Sequence, residues 1–202
     1  MVSAFFHNKK SMRKIFSIMA MCLFAVALYA QDSVVTRFLG IPVDGTKAEM
    51  IRKLKAKGFT SSAYYSNTLK GEFNGRNVNI AVVTNNNKVW RIMVSDENDL
   101  GEADIKIRFN ELCAQFERNS RYRALSLDQS LSDSEEIGYG IRLYNKRYEA
   151  VFYQKESADA DLSLSDYMRS VWFMIGEGLR CNKFKILMYY DNEYNKANGD
   201  DL

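Results

Sequence analysis

Apolar residues recur along this chain with two periods, and the alternation between them outlines the elements. Thr46-Lys47-Ala48-Glu49 has the form of a capping box, in which the Thr hydroxyl and the Glu carboxylate each satisfy an orphan backbone N–H. Ile51 and Leu54 extend an apolar stripe behind it and Gly58 supplies a stop, so the spacing predicts a short amphipathic helix over 46–57. The period then drops to two. Asn74-Gly75 is a preferred hairpin turn. Val78, Ile80 and Val82 alternate with Asn77, Asn79 and Ala81, and after Asn85-Asn86-Asn87 the residues Trp90, Ile92 and Val94 alternate with Val89, Arg91 and Met93. This reads as a three-stranded antiparallel meander.

The helical period returns at Ile105, Phe109, Leu112 and Phe116, which predicts a longer helix over 102–118. A polar stretch rich in Ser and Asp follows at 126–136. Four further strands are expected over 137–144, 147–155, 169–176 and 183–190, with Asn145-Lys146 turning the first pair and 156–168 forming a longer connection. Helix plus meander thus occurs twice. The expected fold is α+β: an antiparallel sheet of about seven strands with two main helices packed on one face. Two similar halves, 31–100 and 101–202, are suggested within a single domain over 31–202.

The first thirty residues have a different pattern. Lys9, Lys10, Arg13 and Lys14 precede an apolar run from Ile15 to Leu28 broken only by Ser17, and small residues follow at Ala25, Ala27 and Ala30. These are the three parts of a secretory signal peptide, with cleavage after Ala30 or Ala27 and with Met12 as an alternative start. An uncleaved anchor helix would need a run nearer to roughly 20 residues. A lipid anchor on Cys22 would need a small residue before it, where Met21 stands. The expectation is an exported protein, periplasmic or extracellular, without a transmembrane segment once the signal is removed. The signal carries four of the 28 basic residues and none of the 25 acidic ones. The body therefore holds 24 basic against 25 acidic residues, a formal charge of −1. No net positive field is left to attract nucleic acid.

Residue types narrow the chemistry further. The single histidine is His7, inside the signal, so a cleaved body has none. Ser-His-Asp and Cys-His nucleophile activation and histidine-ligated metal sites are removed with it. No Gly-rich phosphate loop is present, and Gly138-Tyr139-Gly140 is expected to precede a strand. Asp159-x-Asp161-x-Ser163 begins like a calcium loop but has Leu164 at the sixth position and Ser170 at the twelfth. No cofactor or metal is expected. Carboxylate clusters at Asp133, Glu135 and Glu136 and at Asp159 and Asp161 leave a small periplasmic hydrolase as the alternative reading. Cys113 and Cys181 survive in the body and could pair in an oxidising compartment, or Cys113 could be a small buried apolar residue.

The aromatic pattern points elsewhere. Val171, Phe173 and Ile175 share one strand face while Trp172 and Met174 take the other; Tyr148 and Phe152 oppose Val151 and Tyr153 in the same way. A sheet apolar on both faces is either covered on both sides or uses one face for binding. The binding reading nominates Trp172, Met174 and Tyr153 for a protein or cell-envelope partner.

The order of elements, with Gly40-Ile41-Pro42-Val43-Asp44-Gly45-Thr46 leading into the first helix, resembles the beta-lactamase-inhibitor-protein-like architecture among small exported α+β proteins. That resemblance implies a non-enzymatic role of the kind filled by inhibitors or outer-membrane assembly factors.

Overall fold

Two side-chain to backbone bonds start the first helix where the capping box placed it. Thr46 Oγ1 accepts from the Glu49 N–H at 3.3 Å, and Glu49 Oε2 accepts from the Thr46 N–H at 3.0 Å. The Thr46 donors hold the Glu49 carboxyl below the usual carboxylate range. The computed structural model describes residues 35–63, 65, 67–157 and 164–199. The expected signal segment, Asp159 and Asp161 lie outside the described residues.

Helix α1 covers Lys47–Ala56, α2 Glu102–Arg118 and α3 Ile137–Tyr144. A small antiparallel ribbon joins β1 (Arg37–Phe38) to β2 (Ile41–Pro42). The main sheet holds β3 (Thr60–Ser61), β4 (Thr68–Phe73), β5 (Arg76–Asn85), β6 (Lys88–Asp96), β7 (Tyr122–Ala124), β8 (Glu149–Gln154), β9 (Ser170–Glu177) and β10 (Phe184–Asp191). Its order is β3-β4-β5-β6-β10-β9-β8-β7, with every pair antiparallel. The fold is α+β, and each half runs from an edge strand inward. Helix α1 leads into β3 to β6, α2 leads into β7 to β10, and the halves join through β6 and β10.

The register carries one set of side chains to a common face. Ile80 pairs with Val94, Val94 with Met188, and Met188 with Phe173. These residues are buried in one core with Met50 and Leu54 of α1, Phe109 and Leu112 of α2 and Ile137 of α3. Phe109 meets Phe173 edge-on at 5.0 Å, and Phe116 stacks on Phe152 at 4.6 Å. The β1–β2 ribbon plugs the same core: Phe38 is fully buried between Phe73 and Tyr190, at 5.1 and 4.9 Å.

Two expectations are corrected. Residues 137–144 form helix α3 and not a strand, so Gly138-Tyr139-Gly140 lies inside a helix. Ile137 and Ile141 are one helical turn apart and face the core, but alternate apolar residues between them imitate a strand. The glycines allow close approach. A Cβ on Gly140 would overlap the Tyr148 hydroxyl, and one on Gly138 would stand 3.4 Å from the Phe184 ring. Asn145 then ends the helix at φ 52°, a left-handed conformation that Asn tolerates. The second correction concerns the cysteines. Cys113 and Cys181 are both free: Cys113 is buried on α2, where burial pushes its thiol up to about 12, and Cys181 is exposed in the β9–β10 turn.

One irregularity shifts β6. A bulge opposite Val83 and Thr84 puts Val89 in the core and leaves Trp90 half-buried, which breaks the expected Trp90-Ile92-Val94 alternation.

Candidate binding surface

The three helices use one face of the sheet, and the other is built from the intervening side chains. Across it runs a row set by register: Ala81, Met93, Tyr189, Trp172 and Val151. A second row holds Ser95, Leu187, Met174 and Glu149. Except for Tyr189, which is buried, and Glu149, which is exposed, these residues are half-buried. The strand parity expected for Trp172 and Met174 is the one observed.

Trp172 and Tyr189 are directly opposed on β9 and β10, and their rings stack at 4.1 Å with 21° between planes. The Arg91 guanidinium lies over Tyr189 at 4.7 Å, over Trp90 at 4.3 Å and within 5.3 Å of Trp172. Arg147 stands 5.9 Å from the Trp172 ring and pairs with Glu149 at 2.7 Å. Beneath this stack sits Asp191, its side chain only 3% exposed. It accepts two bonds from Arg91, Nε to Oδ1 and Nη2 to Oδ2, both at 2.6 Å, and one from Trp172 Nε1 at 2.9 Å. A bidentate guanidinium–carboxylate pair fixes the plane of the cation, and the aromatic faces then find it already in place. Burial raises the Tyr189 hydroxyl above its ordinary range, so the ring stays neutral.

Tyr153 shares the helix-free face, but its closest aromatic partner is Tyr167, edge-on at 4.9 Å. Tyr167 belongs to the 3₁₀ turn Leu164–Met168 in the β8–β9 connection. Beside them a cavity of about 410 Å³ is lined by Arg123, Ala124, Leu125, Ser126, Leu127, Tyr153 and Tyr167.

The carboxylate cluster is arranged differently from an acid–base pair. Asp133 and Glu136 are exposed. Glu135 accepts from Lys146 Nζ and from the Tyr148 hydroxyl, at 2.5 and 2.9 Å, and these donors hold it below the usual carboxylate range. An acid so stabilised is ionised near neutral pH and is poorly suited to protonate a leaving group. Tyr148, buried against that carboxylate, is pushed up to about 12. Among the described residues, no group of three His, Cys, Asp or Glu side chains could hold a metal ion, and no helix is long and apolar enough to cross a membrane.

Arg91, Asp191, Tyr189 and Arg147 were not singled out from the sequence. Strand parity places Arg91 with Met93 and Tyr189 with Leu187, but their meeting depends on the β6–β10–β9 register, which no local pattern encodes. No family model, curated protein or solved structure matches the chain.

Proposed function

We propose that this chain is an exported, non-enzymatic binding domain that grips a protein or cell-envelope partner with the helix-free face of its sheet. One observation carries the reading: a prearranged stack of Trp90, Arg91, Tyr189 and Trp172 sits on the sheet face opposite the helices. Trp, Tyr and Arg are the residues that dominate interface energies, most of all when their rotamers are fixed before contact. Here the Asp191 carboxylate fixes two of them. Met93, Met174 and Leu187 border the stack and supply adaptable apolar area. The two helix-plus-meander halves support the beta-lactamase-inhibitor-protein-like resemblance, and with it a role in which the sheet rather than a pocket meets the partner. Residues 1–30 serve as the export signal in this reading.

The test compares variants of the mature protein in capture from a cell-envelope extract. Arg147→Glu alters an exposed residue at the rim of the stack, and Trp172→Ala removes its centre. A partner retained by wild type and by Lys53→Ala should be lost or weakened at least about tenfold by both rim and centre substitutions. Equal retention by all four proteins would refute the use of this face.

A further inference from the structure

Among the described residues the sheet ends at β7, and its outer edge combines three features that fit an extended peptide. The first is backbone polarity. The Lys155 N–H donates to the Arg121 carbonyl at 2.8 Å, and the Leu125 N–H donates to the Val151 carbonyl at 2.9 Å. Arg123 pairs with Tyr153 between them. Odd-numbered residues therefore turn their backbone groups toward β8, and the alternation of an antiparallel ladder turns those of Ala124 outward. The Tyr122 N–H is used locally, on the Asn119 carbonyl at 2.9 Å. The outward row consists of the Tyr122 carbonyl and both backbone groups of Ala124. Farther along, the neighbouring strand is closed off: the Gln129 side-chain amide accepts from the Val151 N–H at 2.8 Å and donates to its carbonyl at 3.1 Å. That clamp confines any added strand to β7.

The second feature is the cavity of about 410 Å³ on the helix-free side of this edge. Its walls include Arg123, Leu125, Tyr153 and Tyr167, and Leu125 is 55% exposed. A strand laid against β7 would send alternate side chains into it. The third is charge. Arg121 and Arg123 are exposed, and among the described residues neither forms an ion pair.

We infer that β7 is a strand-addition site for an extended peptide segment, antiparallel to it, carrying an apolar residue followed by acidic ones two and four positions later. Main-chain bonds to Ala124 hold the segment, the cavity takes the apolar side chain, and Arg121 and Arg123 meet the acids on the same face. In strand addition, ladder bonds give affinity and pockets for alternate side chains give specificity. This site uses residues other than the Trp172–Tyr189 stack and stands whether or not that stack binds a partner.

The probe is a fluorescein-labelled peptide, Ser-Leu-Thr-Glu-Thr-Glu-Ser, followed by fluorescence polarisation with the mature protein. Saturable binding is expected. It should weaken at least about tenfold when the leucine becomes serine, when the backbone amides that face β7 are N-methylated, and in the Arg123→Glu variant. The peptide with lysines in place of both glutamates should bind Arg123→Glu better than wild type. Absence of saturable binding up to about 1 mM, or binding indifferent to N-methylation, would overturn the inference. So would binding lost in Trp172→Ala but unchanged in Arg123→Glu, because that would place the peptide on the aromatic face.

Discussion

Replacing Trp172 by alanine tests how the helix-free face is held together. The ring is half-buried, so the loss should fall below the roughly 3–5 kcal/mol typical of a fully buried Trp→Ala change. Two contributions can be assigned. The Tyr189 stack at 4.1 Å is worth about 0.5–1.5 kcal/mol beyond area burial. The Nε1–H bond to Asp191 has an ionised acceptor, a class worth about 1.5–3 kcal/mol. Asp191 keeps both Arg91 bonds after the substitution, so its loss belongs at or below the low end of that range. Together these give about 1.5–3 kcal/mol. Trp172→Phe keeps a ring to stack and loses only the donor, so it should cost about 1–1.5 kcal/mol. Urea denaturation at neutral pH, read by circular dichroism and by the fluorescence of Trp90, measures both. A Trp172→Ala effect below about 0.5 kcal/mol would mean that the stack does not hold in solution. Equal effects of Phe and Ala would mean that stacking contributes nothing.

Other outcomes follow from particular contacts. Thr46→Ala should cost about 0.5–2 kcal/mol through loss of the capping box, whereas Lys53→Ala on the exposed side of α1 should change stability by less than about 0.5 kcal/mol in the same assay. Arg108 and Asp96 approach to 3.6 Å in the core, with Arg108 Nε and Asp96 Oδ2 lacking hydrogen-bond partners. Desolvation outweighs the attraction at both groups, raising the Asp96 carboxyl and lowering the Arg108 guanidinium, so Asp96→Asn with Arg108→Met should be neutral or stabilising by about 1–4 kcal/mol in the same assay. Burial raises the Asp96 carboxyl, so its contribution is most favourable in acid and declines as pH rises through its folded value. Glu135 has the opposite sign: its folded value is lowered, so the stability it adds is present above the ordinary carboxylate range and fades as pH falls. Glu135→Gln should flatten the acid limb of a stability–pH curve. Mass spectrometry of exported protein should find an N-terminus between about residues 28 and 32.

Local patterns carried much of the architecture. Helix α2 over Glu102–Arg118 coincides with the expected span because four aromatic or aliphatic residues repeat at helical spacing over about three turns. The strand parity of 171–175 held because one face is fully buried and a slip of one residue would expose it. The misread segment, 137–144, is short, has two glycines and satisfies both periods, so only its tertiary contact with Tyr148 and Phe184 selects the helix. Strands β3 and β7 span two and three residues, too few to show a period. The binding surface was half legible: parity nominated Trp172 and Met174, but the partners that orient Trp172 come from strands fixed by long-range register.

That register gives the surface a specific origin. Within the main sheet the halves are joined where β6 pairs with β10, and the Arg91–Asp191 pair spans this seam. Arg91 comes from the first half, whereas Asp191, Tyr189, Trp172 and Arg147 come from the second. A similar chain path in each half therefore does not make two equivalent sites. The first half alone has a cation with no carboxylate to orient it, and the second has a buried carboxylate without its cation. Desolvating Asp191 is tolerable because Arg91 arrives with bidentate geometry, and Arg91 is held over Tyr189 because Asp191 anchors it. Joining the two halves of the sheet thus completes the fold and orders the aromatic stack in the same step. Any substitution that loosens the β6–β10 pairing should disturb the stack before it disturbs either helix.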